Sequence, residues 1–349
     1  MVDRSFHVDT FRPNDAEGVA RLFAEVYGDG YPVKIVYDPG KLITAFENHE
    51  NIPAVARTPE NEIVGYSALY RSAPNKHLYE IGQAMVRPDY RNTAISGLLF
   101  RGIIRIAKTF TDIDAFFAEA VCSHLFVQRA GVMFKTIETA IEIDLMPAEA
   151  YEQQENVSGR VSTLNVFRTF TPKPQTIYVP AVYGDYLRYI YADFDDSRTF
   201  APAGGEIPQG RQTEIDTQIF DFARVARVAM HETGLDFTKR FDREEKEACE
   251  KGAIVLQVWL KLSWPWIDKI TDALRSKGYF FGGALPHWFG EDGLLMQKIL
   301  EEPNWKEINL YTEKANKILE FVKNDFMRVK GLWLLCALAL PYIKSYLEM

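Results

Sequence analysis

Apolar and polar residues alternate over residues 5–12, SFHVDTFR, which predicts a first strand with two unlike faces. From Asn14 the period lengthens. Val19, Leu22, Phe23 and Val26 recur at helical spacing up to Gly28, with Asn14 or Asp15 as the cap. A polar loop, GDGYP, separates this helix from a second helical stretch at 39–49. Two strands follow at 52–58 and 62–71, joined as a hairpin by Pro59-Glu60-Asn61. A strand at 79–86 stops before Pro88-Asp89, and a helix over 93–108 buries Ile95, Leu98, Leu99, Ile103 and Ile106. A strand at 115–121, a short helix at 125–131 and a strand at 136–144 complete this half. The order predicts a mixed α/β sheet with a crossover helix in its middle.

Residues 147–175 are polar and read as a linker or loose connection. A second series begins with a strand at 176–180, a helix at 182–194 and a Gly/Pro loop around 202–205. Strands at 212–220 and 223–230, a polar helix at 242–251 and a strand at 253–262 come next. A helix at 265–277 and strands at 278–284 and 292–299 follow. This second series repeats the architecture of the first, so two copies of one fold in tandem is the economical reading. A polar amphipathic helix at 312–327 precedes an apolar tail.

A length of 349 residues suits two domains. A net charge of −8 speaks against a nucleic-acid partner, which selects a basic face. Cys122, Cys249 and Cys336 stand far apart, so neither a disulfide framework nor a zinc site is expected, and a reducing cytoplasm fits. The histidines are scattered without metal-ligand spacing, and no metal is expected. The start of the chain carries no signal or transit peptide pattern. The apolar run Leu332 to Tyr342 has about half the roughly 20 residues that span a bilayer. It reads as a helix buried against the body or between the subunits of a homo-oligomer, with a membrane-surface tail as the alternative.

The candidate chemistry lies in residues 79–108. A strand, a short loop and a helix start present backbone amides without internal partners, which favours an anion and above all a phosphate. The run Val86-Arg87-Pro88-Asp89-Tyr90-Arg91-Asn92-Thr93-Ala94-Ile95-Ser96 resembles the strand end V-x-P and the Q/R-x-x-G-x-G/A helix start of the GNAT superfamily of N-acetyltransferases. Arg91 matches the leading position, while Ala94 and Ser96 replace the two small ones. The run Ala118-Glu119-Ala120-Val121, then Ser123-His124, Gln128 and Gly131, looks like one subgroup's last helix. The whole layout is similar to long bacterial members with a second, degenerate GNAT-like half.

The resemblance implies acetyl-CoA as co-substrate and an amine acceptor, either a small molecule or a protein lysine. It implies that Met85, Val86 and Arg87 pair with the pantetheine arm, and that the pyrophosphate rests on Arg91, Asn92, Thr93, Ala94, Ile95 and Ser96. Glu80 lies on the family's base-bearing strand; its alternative is a structural carboxylate paired with Arg71 or Lys76. Glu119 is a second acidic candidate. The family's proton-donating tyrosine corresponds to Val127, which cannot donate, and His124 is the substitute candidate. In the second half the run Ser263-Trp264-Pro265-Trp266 sets indoles where a pyrophosphate would enter. Tyr279, Phe280, Phe281, His287, Trp288 and Phe289 either line an acceptor pocket or form core.

The expected organisation is an acetyltransferase domain at 1–147, a linker at 148–175, a degenerate GNAT-like domain at 176–305 and a helical segment at 306–349. The expected function is acyl transfer from acetyl-CoA to an amine. The alternative is an inactive relative that senses ligands or binds proteins.

Overall fold

The computed structural model describes residues 5–347 apart from 32, 92, 152–158 and 196, with side chains described to residue 331 except at 151. Contacts divide the chain into two compact units, residues 1–119 with 168–171, and residues 120–167 with 172–349.

In the first unit the chain runs β1 (His7–Thr10), α1 (Ala16–Tyr27), α2 (Pro39–Glu47), β2 (Asn51–Arg57), β3 (Ile63–Tyr70), β4 (Leu78–Val86), α3 (Ile95–Ala107) and β5 (Ala115–Val121). The strands lie in the order β1-β2-β3-β4-β5. Neighbours are antiparallel except β4 and β5, which α3 connects as a parallel pair. Alternation along β3 decides which helix covers which face. Tyr66 packs with Phe23, Leu22 and Val19 of α1, whereas a methyl group on neighbouring Gly65 would lie 2.9 Å from Ile95 and 3.1 Å from Leu99 of α3. Glycine there lets α3 lie flat on β3. Each large apolar side chain buried on these faces contributes about 1.5–3 kcal/mol.

The N-terminal strand is fixed by charge as well. Arg57, 1% exposed, donates from Nε to Asp15 at 2.8 Å and from Nη2 to the Thr10 carbonyl at 2.8 Å. Asp15 therefore serves as an ion-pair partner; its side chain makes no cap bond at the start of α1. Leu98 also departs from expectation, since it is 37% exposed on α3.

The second unit holds α4 (Phe126–Met133), β6 (Ile137–Pro147), β7 (Arg160–Thr169), β8 (Gln175–Val179), α5 (Gly184–Tyr191) and β9 (Arg198–Pro202), with the end of β7 falling to the first unit. It continues with β10 (Glu214–Phe220), β11 (Val225–Glu232), α6 (Phe237–Glu250), β12 (Val255–Lys261), α7 (Ile267–Ser276), β13 (Phe280–Leu285), β14 (Gly293–Ile299) and α8 (Glu313–Leu347). Its sheet has the order β7-β6-β13-β14-β12-β11-β10, while β8 and β9 form a separate parallel pair. Only β11 and β12 are parallel in the larger sheet. Asp325 of α8 accepts from the Tyr183 hydroxyl and the Phe281 amide, each at 2.8 Å, and from Arg275.

Several expectations change here. Residues 160–169, expected within a linker, form the ten-residue strand β7 with a buried centre. Polarity misled because Ser162, Thr163 and Asn165 are themselves buried. Residues 198–202 form β9, and the polar helix expected at 242–251 begins at Phe237. Tyr279, Phe280, Phe281, His287 and Trp288 are buried and form core. The apolar run Leu332 to Tyr342 continues helix α8, and its side chains lie outside the described residues. No described helix is long and apolar enough to cross a membrane.

Candidate active site

The site begins with a defect in β4. The registers Tyr66↔Met85 and Ala68↔Gly82 leave one extra residue on β4, a bulge in which Gln83 takes φ 53°. A non-glycine residue pays about 1–2 kcal/mol for that conformation. Buried hydrogen bonds compensate. Asn51 Nδ2 donates to Gln83 Oε1 at 3.0 Å, and the Tyr66 hydroxyl donates to Asn51 Oδ1 at 3.0 Å. A bulge bends its strand and interrupts the ladder.

The neighbouring edge opens at the same place. β4 and β5 are in register at Leu78↔Ala115, Tyr79↔Phe116 and Glu80↔Phe117, and no pairing follows beyond Glu80. Residues 81–86 therefore offer backbone donors and acceptors along that side, and Ala84 is exposed. An extended ligand with amides of its own can pair with such an edge.

Next in the chain is the open start of α3. Its first internal bond runs from Leu98 N–H to the Ala94 carbonyl at 3.0 Å, so Ser96 and Gly97 precede the ladder. Ala94 has φ −72°, an ordinary helical value, so alanine in place of glycine carries no backbone strain. Ala94 and Gly97 are exposed, and a methyl group on Gly97 would meet nothing within 4 Å. The bare amides and the helix dipole fit the pyrophosphate that the resemblance implies.

The other expected ligand contacts divide sharply. Met85 and Ile95 turn into the two cores and can offer only backbone. Val86 is half-buried, and its carbonyl accepts from Arg91 Nε at 3.4 Å. Arg87 is held by Asp89 at 2.8 Å and Glu62 at 3.2 Å, with Asp89 raising its pKa further. Thr93 donates to the Tyr90 carbonyl at 2.7 Å and accepts weakly from Ile95 N–H at 3.4 Å. Ser96 is half-buried in the first turn. Asn92 lies outside the described residues.

Glu80 stands where β4 and β5 part, 8% exposed. It accepts from Ser72 Oγ at 2.7 Å and from the Tyr70 hydroxyl. Tyr70 is its cross-strand neighbour on β3, and the hydroxyl leans over Gly82, where a methyl group would lie 2.8 Å away. Burial and the Glu80 carboxylate hold the Tyr70 phenol well above its ordinary pKa, with Glu119 adding to the effect. Arg71, expected beside Glu80, donates instead to the Tyr79 hydroxyl at 3.1 Å and faces Asp112 at 3.8 Å.

His124 belongs to the second unit. Its Nδ1 accepts from the Phe126 amide at 3.4 Å, at the start of α4, and burial lowers its pKa. The ring is a neutral helix cap there. Among the described residues no group of three His, Cys, Asp or Glu could hold a metal ion.

The sequence matches no family model and no curated protein. Solved structures do match. They include an N-acetyltransferase from Staphylococcus aureus Mu50, with TM-score 0.38 and 10% identity over 47% of this chain and 98% of that one. The ribosomal-protein-S5-alanine acetyltransferase from Vibrio fischeri matches with TM-score 0.38 and 10% identity, over 48% of this chain and 95% of that one. The IAA acetyltransferase from Bacillus cereus ATCC 14579 matches with TM-score 0.34 and 14% identity, over 48% and 100%. Each of these likenesses covers about half of this chain.

The second unit has its own parallel crossover, from β11 through α6 to β12. Its helix start carries a carboxylate, which makes no cap bond to the helix. Asp236, just before α6, accepts from Thr213 N–H at 3.0 Å and Thr213 Oγ1 at 2.7 Å. A methyl group on Gly234 would lie 2.0 Å from the Arg211 carbonyl oxygen. The indoles follow β12 as expected and stand before α7, where Trp264 and Trp266 stack and Trp266 donates to Thr233 at 2.7 Å.

Sequence reasoning missed Gln83, Tyr70, Ser72 and Gly97. The bulge is a mismatch between β3 and β4, and the sequence of β4 alone carried no signal for it. Nothing in sequence spacing paired Tyr70 with Glu80 until the β3–β4 register was known.

Proposed function

We propose that this chain is an acyl-CoA-dependent N-acyltransferase of the GNAT type that moves an acetyl group to a primary amine. The observation that carries the reading is the parting of β4 from β5 beside the Gln83 bulge, directly before the open start of α3. Pantetheine amides would pair with residues 84–87, and the pyrophosphate would rest on the amides of residues 96 and 97. The same order of a hairpin, a helix crossover and a parallel strand supports reading the second unit as a degenerate copy.

In this reading Glu80 takes the proton from an ammonium acceptor, the freed amine attacks the thioester carbon, the C–S bond breaks, and the surplus proton on the new amide nitrogen passes to solvent. Carbonyl polarisation falls to unpaired amides of β4. Tyr70 and Ser72 hold the carboxylate in place. A thiol pKa of about 8.5 lets solvent protonate the departing thiolate at neutral pH, so Val127 does not forbid turnover. His124 is left to its cap.

Calorimetry with acetyl-CoA tests the reading. Binding with a Kd below about 1 mM, which corresponds to roughly 4 kcal/mol, is expected, with loss on Gly97→Asp. Absence of binding at that concentration refutes it. Binding without acetylation of any amine panel would favour the inactive, ligand-sensing alternative, which Val127 supports. The acceptor, whether a small amine or a protein lysine, would be read from that panel.

A further inference from the structure

The second unit ends in an open edge. β10 is the last strand of its sheet, and among the described residues no strand pairs with its outer side. Exposure alternates along it. Glu214, Asp216, Gln218 and Phe220 are exposed, while Ile215, Thr217 and Ile219 are half-covered. The one irregularity of its pairing with β11 lies at Glu214/Ile215, so residues 215–220 form a regular edge about 20 Å long. Glu214, Asp216 and the irregularity guard only its start, and neither charge nor proline guards residues 217–220.

A groove of about 380 Å³ runs beside this edge, lined by Thr217, Ile219, Asp221, Glu244, Glu247 and Lys251. Its outer wall is α6. Thr217 donates to Glu244 at 2.9 Å and Lys251 to Glu247 at 2.7 Å, which fixes both carboxylates along the wall. Three carboxylates and one ammonium line the groove, and Arg240 on the same helix reaches Glu244 at 3.7 Å. A strand edge beside a helix, with a groove between them, has the geometry of strand addition: main-chain bonds give affinity, and alternate side chains enter the groove.

We propose that the edge of β10 takes up an extended, Lys- or Arg-bearing peptide segment of a partner protein as an added strand. Its alternate basic side chains reach Asp221, Glu244 and Glu247. Charge decides against a second copy of this chain at the edge. Antiparallel pairing of β10 with β10 would set Glu214 opposite Phe220 and Asp216 opposite Gln218, and β10 carries no Lys or Arg to meet Asp221, Glu244 and Glu247. The proposal is independent of acyl transfer.

The test uses the full chain and a peptide of alternating lysine and valine, eight residues long. Titration by fluorescence anisotropy should show saturable, salt-sensitive binding. Hydrogen exchange should slow at residues 215–220. A glutamate–valine peptide of equal length should not bind, and the lysine peptide N-methylated at alternate residues in both registers should lose at least tenfold in affinity. Glu244→Gln with Glu247→Gln should weaken binding about tenfold in a chain whose melting temperature is unchanged. Should that pair unfold the protein, the N-methylated peptides still decide the matter. Undiminished binding of those peptides, protection elsewhere than 215–220, no binding at 1 mM, or concentration-dependent dimerisation through β10 would each overturn the proposal.

Discussion

Substituting Gly82 tests whether the Tyr70–Glu80 contact is a real energetic unit. In Gly82→Ala the new methyl would lie 2.8 Å from the Tyr70 hydroxyl and 3.1 Å from its Cε1. Ordinary contact needs at least about 3.4 Å, so the phenol must withdraw by more than half an ångström, enough to break its bond to Glu80. A hydrogen bond to a charged group contributes about 1.5–3 kcal/mol. Alanine returns about 0.5–1 kcal/mol by restricting the unfolded chain relative to glycine. The net loss should be about 1–2 kcal/mol. Tyr70→Phe removes the hydroxyl without moving the ring and should cost about 1.5–2.5 kcal/mol.

The double variant then discriminates. With the hydroxyl absent, Gly82→Ala should be close to neutral, giving a coupling of about 1–2 kcal/mol between the two sites. The assay must report on the first unit. All six tryptophans lie beyond residue 258, so indole fluorescence follows the other unit. Native-state hydrogen exchange at β3 and β4 amides reads the right place. Additive losses would show that the hydroxyl does not bond Glu80, and the positioning of that carboxylate by Tyr70 would fall with them.

Four further outcomes follow from the same geometry. Gln83→Ala keeps the positive φ but strands Asn51 Nδ2 in the core, so it should cost about 2–3 kcal/mol by urea unfolding and weaken acetyl-CoA binding. Asp15→Ala leaves Arg57 buried beside Asp9 alone and should cost about 3–5 kcal/mol, more than Arg57→Met, as read from thermal melts. Burial raises the pKa of Asp144, with the Asn304 amide and Arg160 only partly offsetting it. A raised carboxyl is favourable when protonated, so its contribution is present below the ordinary value of about 3.9 and lost as pH rises through the folded value. Asp144→Asn should therefore stabilise at neutral pH, with the gain shrinking in melts run toward pH 4. His124→Asn should leave the thermal stability and any acetyl transfer unchanged, because an asparagine oxygen can replace the imidazole as acceptor at the start of α4.

Much of the fold was legible because most of its elements announce themselves by period. The hairpin β2–β3 and the strand β4 are marked by short apolar runs bounded by turn residues, and the helix α3 by apolar residues at helical spacing. β7 was not legible. Ser162, Thr163 and Asn165 make it look like a connection, yet Thr163 is buried against Glu142 at 3.0 Å in a polar layer that only tertiary contacts create. At the site, the helix start was readable from residues 91–96, but the bulge was not. A bulge is a mismatch between two strands, and no single strand records it. Glu80's partners were hidden for the same reason: Ser72 and Tyr70 sit eight and ten residues away and meet it only through the β3–β4 turn.

The two parallel crossovers show how little sequence separates an uncharged helix start from one that carries its own carboxylate. Both follow a strand that pairs in parallel with the strand after the helix. Before α3 stands Ala94, apolar and exposed, with no side-chain cap bond. Before α6 stands Asp236, whose side chain makes no cap bond either but is held by bonds from Thr213 as a carboxylate below its ordinary pKa. A helix start attracts one anion, and at α6 the chain supplies it. Gly97→Asp should make α3 resemble α6 in this respect. The carboxylate stabilises the helix by about 0.3–1 kcal/mol while repelling a phosphate. Stability and acetyl-CoA affinity should thus move in opposite directions, whereas a merely damaged fold would lower both. A Gly97→Asp chain that melts higher and still binds acetyl-CoA with unchanged affinity would remove the start of α3 from the binding site.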